Sequence, residues 1–305
     1  MFDVAIIGGG PAGTSVAVYA ARKRLKSVLI TEEWGGQSNV SEDIQNWIGT
    51  PHISGSDLAN SFEAHVREYA DDVINIHSPA KVETIEKIGG GFKVVTNTGE
   101  SYESKAVFIG VGSNRRTLPA KGADKFEHKG LTYCASCDGP LFTGRDVVVV
   151  GGGNAGFETA AQLLAYTNSV TLLEFNDTFL ADEITVEKLL KNDKFKALKN
   201  VEVTEVVGES FVTGIKYTDR ATGEETERAT SGIFVEIGMI PNTAMVKGLV
   251  DLDERNMIKV DPYTQRTSVE GIWAAGDCTD GLYHQNNIAA GDAVKAIEDM
   301  YGYLR

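Results

Sequence analysis

Residues 3–13 read DVAIIGGGPAG, and residues 146–156 read DVVVVGGGNAG. Each stretch is an apolar run of the strand type, followed by a glycine turn and the start of a helix-like segment. A Gly-x-Gly-x-x-Gly turn between a strand and a helix predicts a dinucleotide site. Its first glycine makes the turn, its second lets a pyrophosphate approach, and its third lets the helix pack on the sheet. Because the whole pattern occurs twice, the sequence predicts an α/β fold with two Rossmann-like dinucleotide-binding domains.

The strand that follows the first turn, residues 27–30, ends at acidic side chains. An acid about 20 residues beyond the glycines is typical of the group that binds a ribose diol. Glu32 is the preferred candidate for this role, and Thr31 is the alternative.

The strand that follows the second turn, residues 169–173, ends at Glu174. Residues 174–183 contain four acids and neither lysine nor arginine. A 2′-phosphate would need arginine here, whereas a free ribose 2′-hydroxyl is bound by a carboxylate. The sequence therefore predicts NADH rather than NADPH at the second site. The alternative is an ordinary solvated acidic loop.

Two of the three cysteines, Cys134 and Cys137, lie in the stretch YCASCDGP at residues 133–140. A C-x-x-C pair at the start of a helix can close into a reducible disulfide, because the helix start lowers the pKa of one thiol. A structural zinc site would need two more soft ligands. The chain offers only Cys278 and five scattered histidines, so the pattern favours redox chemistry and no metal.

The composition excludes several classes of function. The chain has 305 residues and a net charge of −14, so nucleic acid and anionic membranes are poor partners. No apolar run reaches the ~18 residues of a membrane span, and the first residues do not resemble a signal peptide. With three cysteines and no secretion signal, we expect a cytoplasmic protein.

The two glycine turns and the segments between them suggest a discontinuous domain organisation. We expect residues 1–117 and 241–305 to form the first domain, and residues 118–240 to be inserted as the second. Residues 201–237 of the inserted part are predicted to form a small antiparallel meander.

The motifs together resemble the low-molecular-weight thioredoxin reductases. The motifs that carry this similarity are GGGPAG at 8–13, CASCDG at 134–139, GGGNAG at 151–156 and AAGDC at 274–278. The chain is more similar still to the flavin-bearing portion of the alkyl hydroperoxide reductase flavoprotein subunit. The segments that carry this second similarity are LTYCASCDGPLF at 131–142, TLLEF at 171–175 and IFVEIG at 233–238.

The resemblance implies the class II pyridine nucleotide-disulfide oxidoreductase fold, with FAD on the first domain and NADH, less readily NADPH, on the second. The residues implied for FAD are Gly8, Gly10, Pro11, Ala12, Gly13, Glu32, Gly36, Gln37, Asn46, Gly276, Asp277, Gln285, Asn286 and Ile288. The residues implied for the nicotinamide nucleotide are Gly151, Gly153, Asn154, Ala155, Gly156 and Glu174.

The resemblance also implies a reaction, that of a thioredoxin-disulfide reductase-like flavoprotein. Electrons would pass from NADH through FAD and the Cys134–Cys137 disulfide to a thioredoxin- or glutaredoxin-like protein, and the chain would form a homodimer. Cys137 would lie nearer the flavin, and Cys134 would attack the partner. Asp138 would be the acid or base, unless it serves only as a helix cap.

The sequence departs from these families at three places. One is Glu174-Phe175-Asn176-Asp177, which stands where the usual thioredoxin reductases carry an arginine-rich run that holds NADPH. The alkyl hydroperoxide reductase flavoprotein carries an extra N-terminal disulfide domain, whereas this sequence starts at the FAD strand, so we expect a separate protein to accept the electrons. His284 stands where the family generally has arginine or lysine. Two other functions stay open: a dithiol oxidase or peroxide-forming NADH oxidase, and a non-catalytic redox-sensing flavoprotein.

Overall fold

The computed structural model describes residues 1–41 and 43–305. Contacts along the chain divide it into two compact units. Unit 1 comprises Met1–Asn114 and Ile240–Arg305, and unit 2 comprises Arg115–Met239.

The described residues form seventeen strands and six α-helices. The strands are β1 (Phe2–Gly9), β2 (Ser27–Trp34), β3 (Ile74–His77), β4 (Val82–Ile88), β5 (Gly91–Thr96), β6 (Ser101–Ile109), β7 (Ser113–Arg115), β8 (Leu131–Thr132), β9 (Asp146–Val150), β10 (Ser169–Leu173), β11 (Phe195–Leu198), β12 (Val201–Gly208), β13 (Val212–Asp219), β14 (Glu225–Ala229), β15 (Gly232–Val235), β16 (Met239–Pro241) and β17 (Ile272–Ala274). The helices are α1 (Pro11–Arg22), α2 (Gly55–Ala70), α3 (Ala135–Asp138), α4 (Asn154–Leu163), α5 (Glu183–Leu190) and α6 (Asn286–Tyr303).

The main sheet of unit 1 runs in the order β3-β2-β1-β6-β5-β4, with β17 also paired to β6. β1 lies parallel to both β2 and β6 at its centre. Its side chains alternate between two cores. Val4 and Ile6 pack with α1 and α6, whereas Ala5 and Ile7 pack with buried residues of the opposite face. Both faces are covered, which explains why this strand is apolar from Val4 to Ile7.

The main sheet of unit 2 is parallel and runs in the order β11-β10-β9-β15-β8. Val147 and Val149 of β9 pack against α4 on one face. Val148 and Val150 pack on the other face with apolar residues of β12 and β13. The second glycine turn thus follows a strand buried on both faces, as the first one does.

The predicted meander at residues 201–237 is wrong at its last strand. β12, β13 and β14 form the antiparallel sheet, but β15 joins the parallel sheet beside β9. β15 is buried at all four positions, whereas β14 alternates between exposed and half-buried side chains. A short, wholly apolar run is typical of a parallel strand covered on both faces.

Candidate redox and dinucleotide sites

Cys134 and Cys137 form a disulfide in unit 2, with their Cα atoms 5.3 Å apart. Cys134 is the N-cap of the short helix α3, and its Sγ accepts a hydrogen bond of 3.2 Å from the Cys137 amide. Both residues are partly exposed. Backbone N–H groups at a helix start stabilise a thiolate, so this position favours thiol–disulfide exchange.

Asp138 is the last residue of α3, directly after Cys137. Its carboxylate accepts a hydrogen bond from the Thr132 hydroxyl, and its amide donates to the Cys134 carbonyl at 3.0 Å. The N-cap position itself is occupied by Cys134. The carboxylate is therefore held beside the disulfide by β8, and it does not cap the N-terminus of α3.

The first glycine turn has one glycine that the protein itself does not require. Gly8 has a φ of +113°, and a Cβ on Gly13 would collide with the Gly8 carbonyl, so both positions need glycine for internal reasons. Gly10 has an ordinary extended backbone, and the nearest atom to a Cβ there would be 3.9 Å away. The space over Gly10 is thus open at the N-terminus of α1, where a phosphate would bind.

A cavity in unit 1 extends from this turn and encloses about 1070 Å³ together with its mouth. It collects residues from six separate parts of the chain. The predicted FAD residues that line it are Gly8, Gly10, Pro11, Ala12, Glu32, Gly36, Gln37, Gly276, Asp277 and Asn286. A cleft beside a glycine turn and a helix start is the expected position of a bound dinucleotide.

Four predicted FAD residues do not line this cavity. Gly13 lies beneath it, where α1 packs on the turn. Asn46 donates to the Gln285 side chain at 3.1 Å, just before α6, and Ile288 is partly exposed on α6. The sequence prediction also missed one lining cation, Lys81, whose Nζ lies 3.7 Å from the Glu32 carboxylate. Lys81 follows β3, far from the glycine motif, and no local pattern marks it.

The second glycine turn repeats the first in detail. Gly151 has a φ of +119°, and a Cβ on Gly156 would collide with the Gly151 carbonyl. Gly153 has an extended backbone, and a Cβ there would meet no atom within 4 Å. The middle glycine again leaves open space at the start of a helix, here α4.

Glu174 follows β10 and is 5% exposed. Its carboxylate accepts hydrogen bonds from the Gly152 amide, and from the Asn176 amide and side chain at 2.7 and 2.6 Å. The predicted ribose ligand therefore lies against the glycine turn. Asp182 in the same acidic stretch caps α5, accepting from Thr185 N at 3.3 Å.

Residues 174–183 contain no lysine or arginine, but two cations from elsewhere in unit 2 pack against this loop. The Arg220 guanidinium lies 3.8 Å from the centre of the Phe175 ring and donates to the Phe175 carbonyl at 2.9 Å. Lys199 lies 5.5 Å from the centre of the Phe179 ring. The local sequence of the loop does not indicate either cation, because Lys199 follows β11 and Arg220 follows β13.

Comparison with known proteins identifies the family. The model of the pyridine nucleotide-disulphide oxidoreductases matches residues 2–293. The chain belongs to this family. The predicted resemblance and the predicted α/β fold with two Rossmann-like units are both confirmed.

Several relatives of this pyridine nucleotide-disulphide oxidoreductase have curated sequences or solved structures. It is 40% identical over 303 residues to a Bacillus subtilis protein named NADH dehydrogenase, and 39% identical over 304 residues to one subunit of the alkyl hydroperoxide reductase of Escherichia coli. Each alignment covers 99% of this chain but 58% of the relative, so the chain spans little more than half of their length. Thioredoxin reductase from Streptococcus pyogenes is 35% identical with a TM-score of 0.90, and the alignment covers 100% of this chain and 98% of that one.

The family binds FAD and a nicotinamide nucleotide, and the residues of this chain fit both groups. The spaces over Gly10 and Gly153 are the key observation, since nothing in the protein explains glycine at either position. Among residues 1–41 and 43–305, no group of three His, Cys, Asp or Glu side chains could hold a metal ion. No helix in the same ranges is both long and apolar enough to cross a membrane.

Glu236 is a half-buried acid beside the second turn that the sequence prediction did not single out. It follows β15 directly, and its Oε1 accepts a hydrogen bond of 2.9 Å from Thr159 of α4. Burial raises the pKa of Glu236 to about 7, although the positive charge of Arg115 and the Thr159 hydrogen bond partly oppose the shift. A signal was present in the sequence, because an acid immediately after a wholly apolar parallel strand lies at the ligand-binding edge.

Proposed function

We propose that this chain is a flavin-dependent disulfide reductase that passes electrons from NADH, through FAD and the Cys134–Cys137 pair, to a thioredoxin-like protein disulfide. The observation that carries the proposal is the disulfide at the start of α3, in a chain with two glycine turns that each leave room for a phosphate. The solved thioredoxin reductases of similar length support it.

In this proposal the residues that line the cavity of unit 1 hold FAD. Gly10 and the N-terminus of α1 would bind the pyrophosphate, and Glu32 would bind the ribose. Asp277 would face the ribityl chain, and the start of α6 would face the ring. When bound, FAD supplies two-electron transfer between a nicotinamide and a disulfide.

The cysteine pair would exchange electrons with the partner by ordinary thiol–disulfide chemistry. The Cys134 thiolate attacks one sulfur of the partner disulfide, and a mixed disulfide forms as the other partner sulfur leaves. The Cys137 thiolate then attacks Cys134, so that the partner is released as a dithiol and the Cys134–Cys137 bond is restored. Asp138 would give a proton to a leaving thiolate and take one back.

The preference for NADH rests on Glu174. Its buried carboxylate beside the Gly152 amide would accept hydrogen bonds from a free ribose diol and would repel a 2′-phosphate. Arg220 and Lys199 pack on the Phe175 and Phe179 rings of the same loop, and they reduce the net negative charge of this region. We therefore expect NADPH to bind weakly rather than not at all.

A second candidate is the NADH oxidase, because one curated relative is named NADH dehydrogenase. The two functions differ in whether electrons leave through the cysteine pair or directly to another acceptor. A steady-state assay should compare NADH with NADPH, using thioredoxin- and glutaredoxin-like proteins or oxygen as acceptor. Faster reduction of a protein disulfide than of oxygen supports the reductase, and the same rate in the Cys134→Ser/Cys137→Ser variant contradicts it.

A further inference from the structure

Glu236 belongs to a cluster of charged and polar groups at the carboxyl edge of the unit 2 sheet. Thr159 of α4 donates to it at 2.9 Å, and the charged groups that act on it are Glu158 of α4 and Arg115. The Glu236 amide donates to the Val150 carbonyl, so the residue lies directly beside the second glycine turn. Neither the disulfide chemistry nor the binding of the ribose at Glu174 uses this acid.

The strand order locates the half of a dinucleotide that Glu236 would meet. A ligand of an open parallel sheet binds at the carboxyl ends of two neighbouring strands whose connections leave on opposite faces. β9 and β15 are such a pair, because α4 covers one face, and β12 and β13, which precede β15, pack on the other. Glu174 follows β10 on one side of β9, and Glu236 follows β15 on the other. A dinucleotide with its adenosine ribose at Glu174 would therefore extend its nicotinamide half over β15.

We propose that Glu236 senses the charge of the nicotinamide ring, so that its ionised carboxylate favours the cationic oxidised nucleotide over the neutral reduced one. This inference rests on the proposed function in so far as unit 2 binds the nicotinamide nucleotide. Glu236 would then set the affinity of the protein for the oxidised nucleotide, the product, relative to the reduced nucleotide, the substrate.

The effect of Glu236 on the nicotinamide ring can be separated from its effect on the phosphates. The oxidised and reduced nucleotides carry the same pyrophosphate, so repulsion between Glu236 and the phosphates cancels in the ratio of their affinities. Only the oxidised ring is positive, and a half-buried carboxylate such as that of Glu236 attracts a nearby cation more strongly than a fully exposed one does. Since the pKa of Glu236 is about 7, the ratio should change across neutral pH. Below that value the acid is protonated and the preference disappears.

The test measures binding rather than turnover. Calorimetry on the flavin-loaded protein compares NAD⁺ with tetrahydro-NAD, a neutral analogue of NADH that cannot transfer hydride. We expect the preference for NAD⁺ over the analogue to increase about fivefold from about pH 6 to about pH 8. In Glu236→Gln the ratio should stay constant, while Glu202→Gln, an exposed acid on β12 of the same unit, should behave as the wild type.

The possible results distinguish a failure of the role proposed for Glu236 from a failure of the proposed reductase function. A ratio that is constant with pH in the wild type, or equally pH-dependent in Glu236→Gln, overturns the role of Glu236 and leaves the reductase intact. If neither nucleotide binds the wild-type protein, the proposed function fails with it. A wild-type ratio that is constant with pH overturns the role of Glu236 even if the variant does not fold.

Discussion

At the scale of single residues, the three cysteines occupy opposite environments. Cys278 is 0% exposed, and its Sγ lies 3.5 Å from the Ala275 carbonyl. Burial raises the pKa of the Cys278 thiol to about 12, so it stays protonated at neutral pH. Cys134 and Cys137 are partly exposed at a helix start, where a thiolate is stabilised. The same side chain is therefore inert at one position and reactive at the other two.

This contrast predicts a selective labelling pattern. After reduction, iodoacetamide at about pH 8 should alkylate Cys134 and Cys137 within the folded protein and leave Cys278 unmodified, because the thiolate is the nucleophile. Peptide mass spectrometry after timed labelling checks this, and labelling in denaturant is the control that all three can react. Alkylation of Cys278 at a rate similar to that of the pair would refute the assignment.

Glu236 predicts a pH dependence of stability. Its pKa is raised from 4.5 to about 7, so the folded protein binds more protons than the unfolded chain within that window. The free energy of unfolding therefore decreases as pH rises from 4.5 to about 7, by on the order of 3 kcal/mol for a shift of this size. Glu236→Gln removes this cost and still accepts the Thr159 hydrogen bond. The gain in Tm of Glu236→Gln over the wild type should be larger at about pH 8 than at about pH 5.

Glu202→Gln is the matched control for that measurement, because it makes the same substitution at an exposed position of unit 2. Its effect on Tm should be small at both pH values. A gain for Glu236→Gln that is the same at both pH values would show that the acid does not titrate as described.

At the scale of elements, the two glycine turns are built to one plan and should respond alike to one substitution. Gly10 and Gly153 tolerate a Cβ in the protein itself, because their backbones are extended and the space beside them is open. A methyl group at either position would occupy the space that the pyrophosphate needs.

Alanine variants at the two positions test whether the open space over each glycine binds a pyrophosphate. Gly10→Ala should keep a Tm near that of the wild-type apoprotein. Its affinity for FAD should fall by tenfold or more, which corresponds to a loss of binding free energy on the order of 1.4 kcal/mol. Gly153→Ala should keep the yellow colour of bound flavin and lose affinity for NADH to a similar extent. Absorbance spectra and calorimetry measure the two ligands, and circular dichroism checks folding.

Gly13→Ala and Gly156→Ala are the contrasting controls, since a Cβ at either position collides with a carbonyl of its own turn. They should lower Tm as well as ligand affinity. Retention of full FAD affinity in Gly10→Ala would place the flavin somewhere other than this turn.

At the scale of the whole molecule, the fold was the most predictable feature. Apolar strands that end in glycine turns are a local pattern, and the structure has β1 and β9 at both quoted stretches. The cysteine pair was equally visible. The groups that meet in space were not predictable in the same way, because Lys81 and Arg220 reach their sites from parts of the chain far from the glycine motifs. The misassignment of β15 has the same origin, since its neighbour in the sheet is β9, which is far from it in sequence.

The central claim for the whole molecule is that electrons from NADH reach the Cys134–Cys137 pair when flavin is bound. Counting reactive thiols per chain before and after excess NADH, without oxygen and without a partner protein, tests it most directly. The flavin-loaded wild type should gain about two thiols, one from each sulfur of the disulfide. The flavin-free protein and the Cys134→Ser/Cys137→Ser variant should gain none. No new thiol in the flavin-loaded wild type would contradict the account.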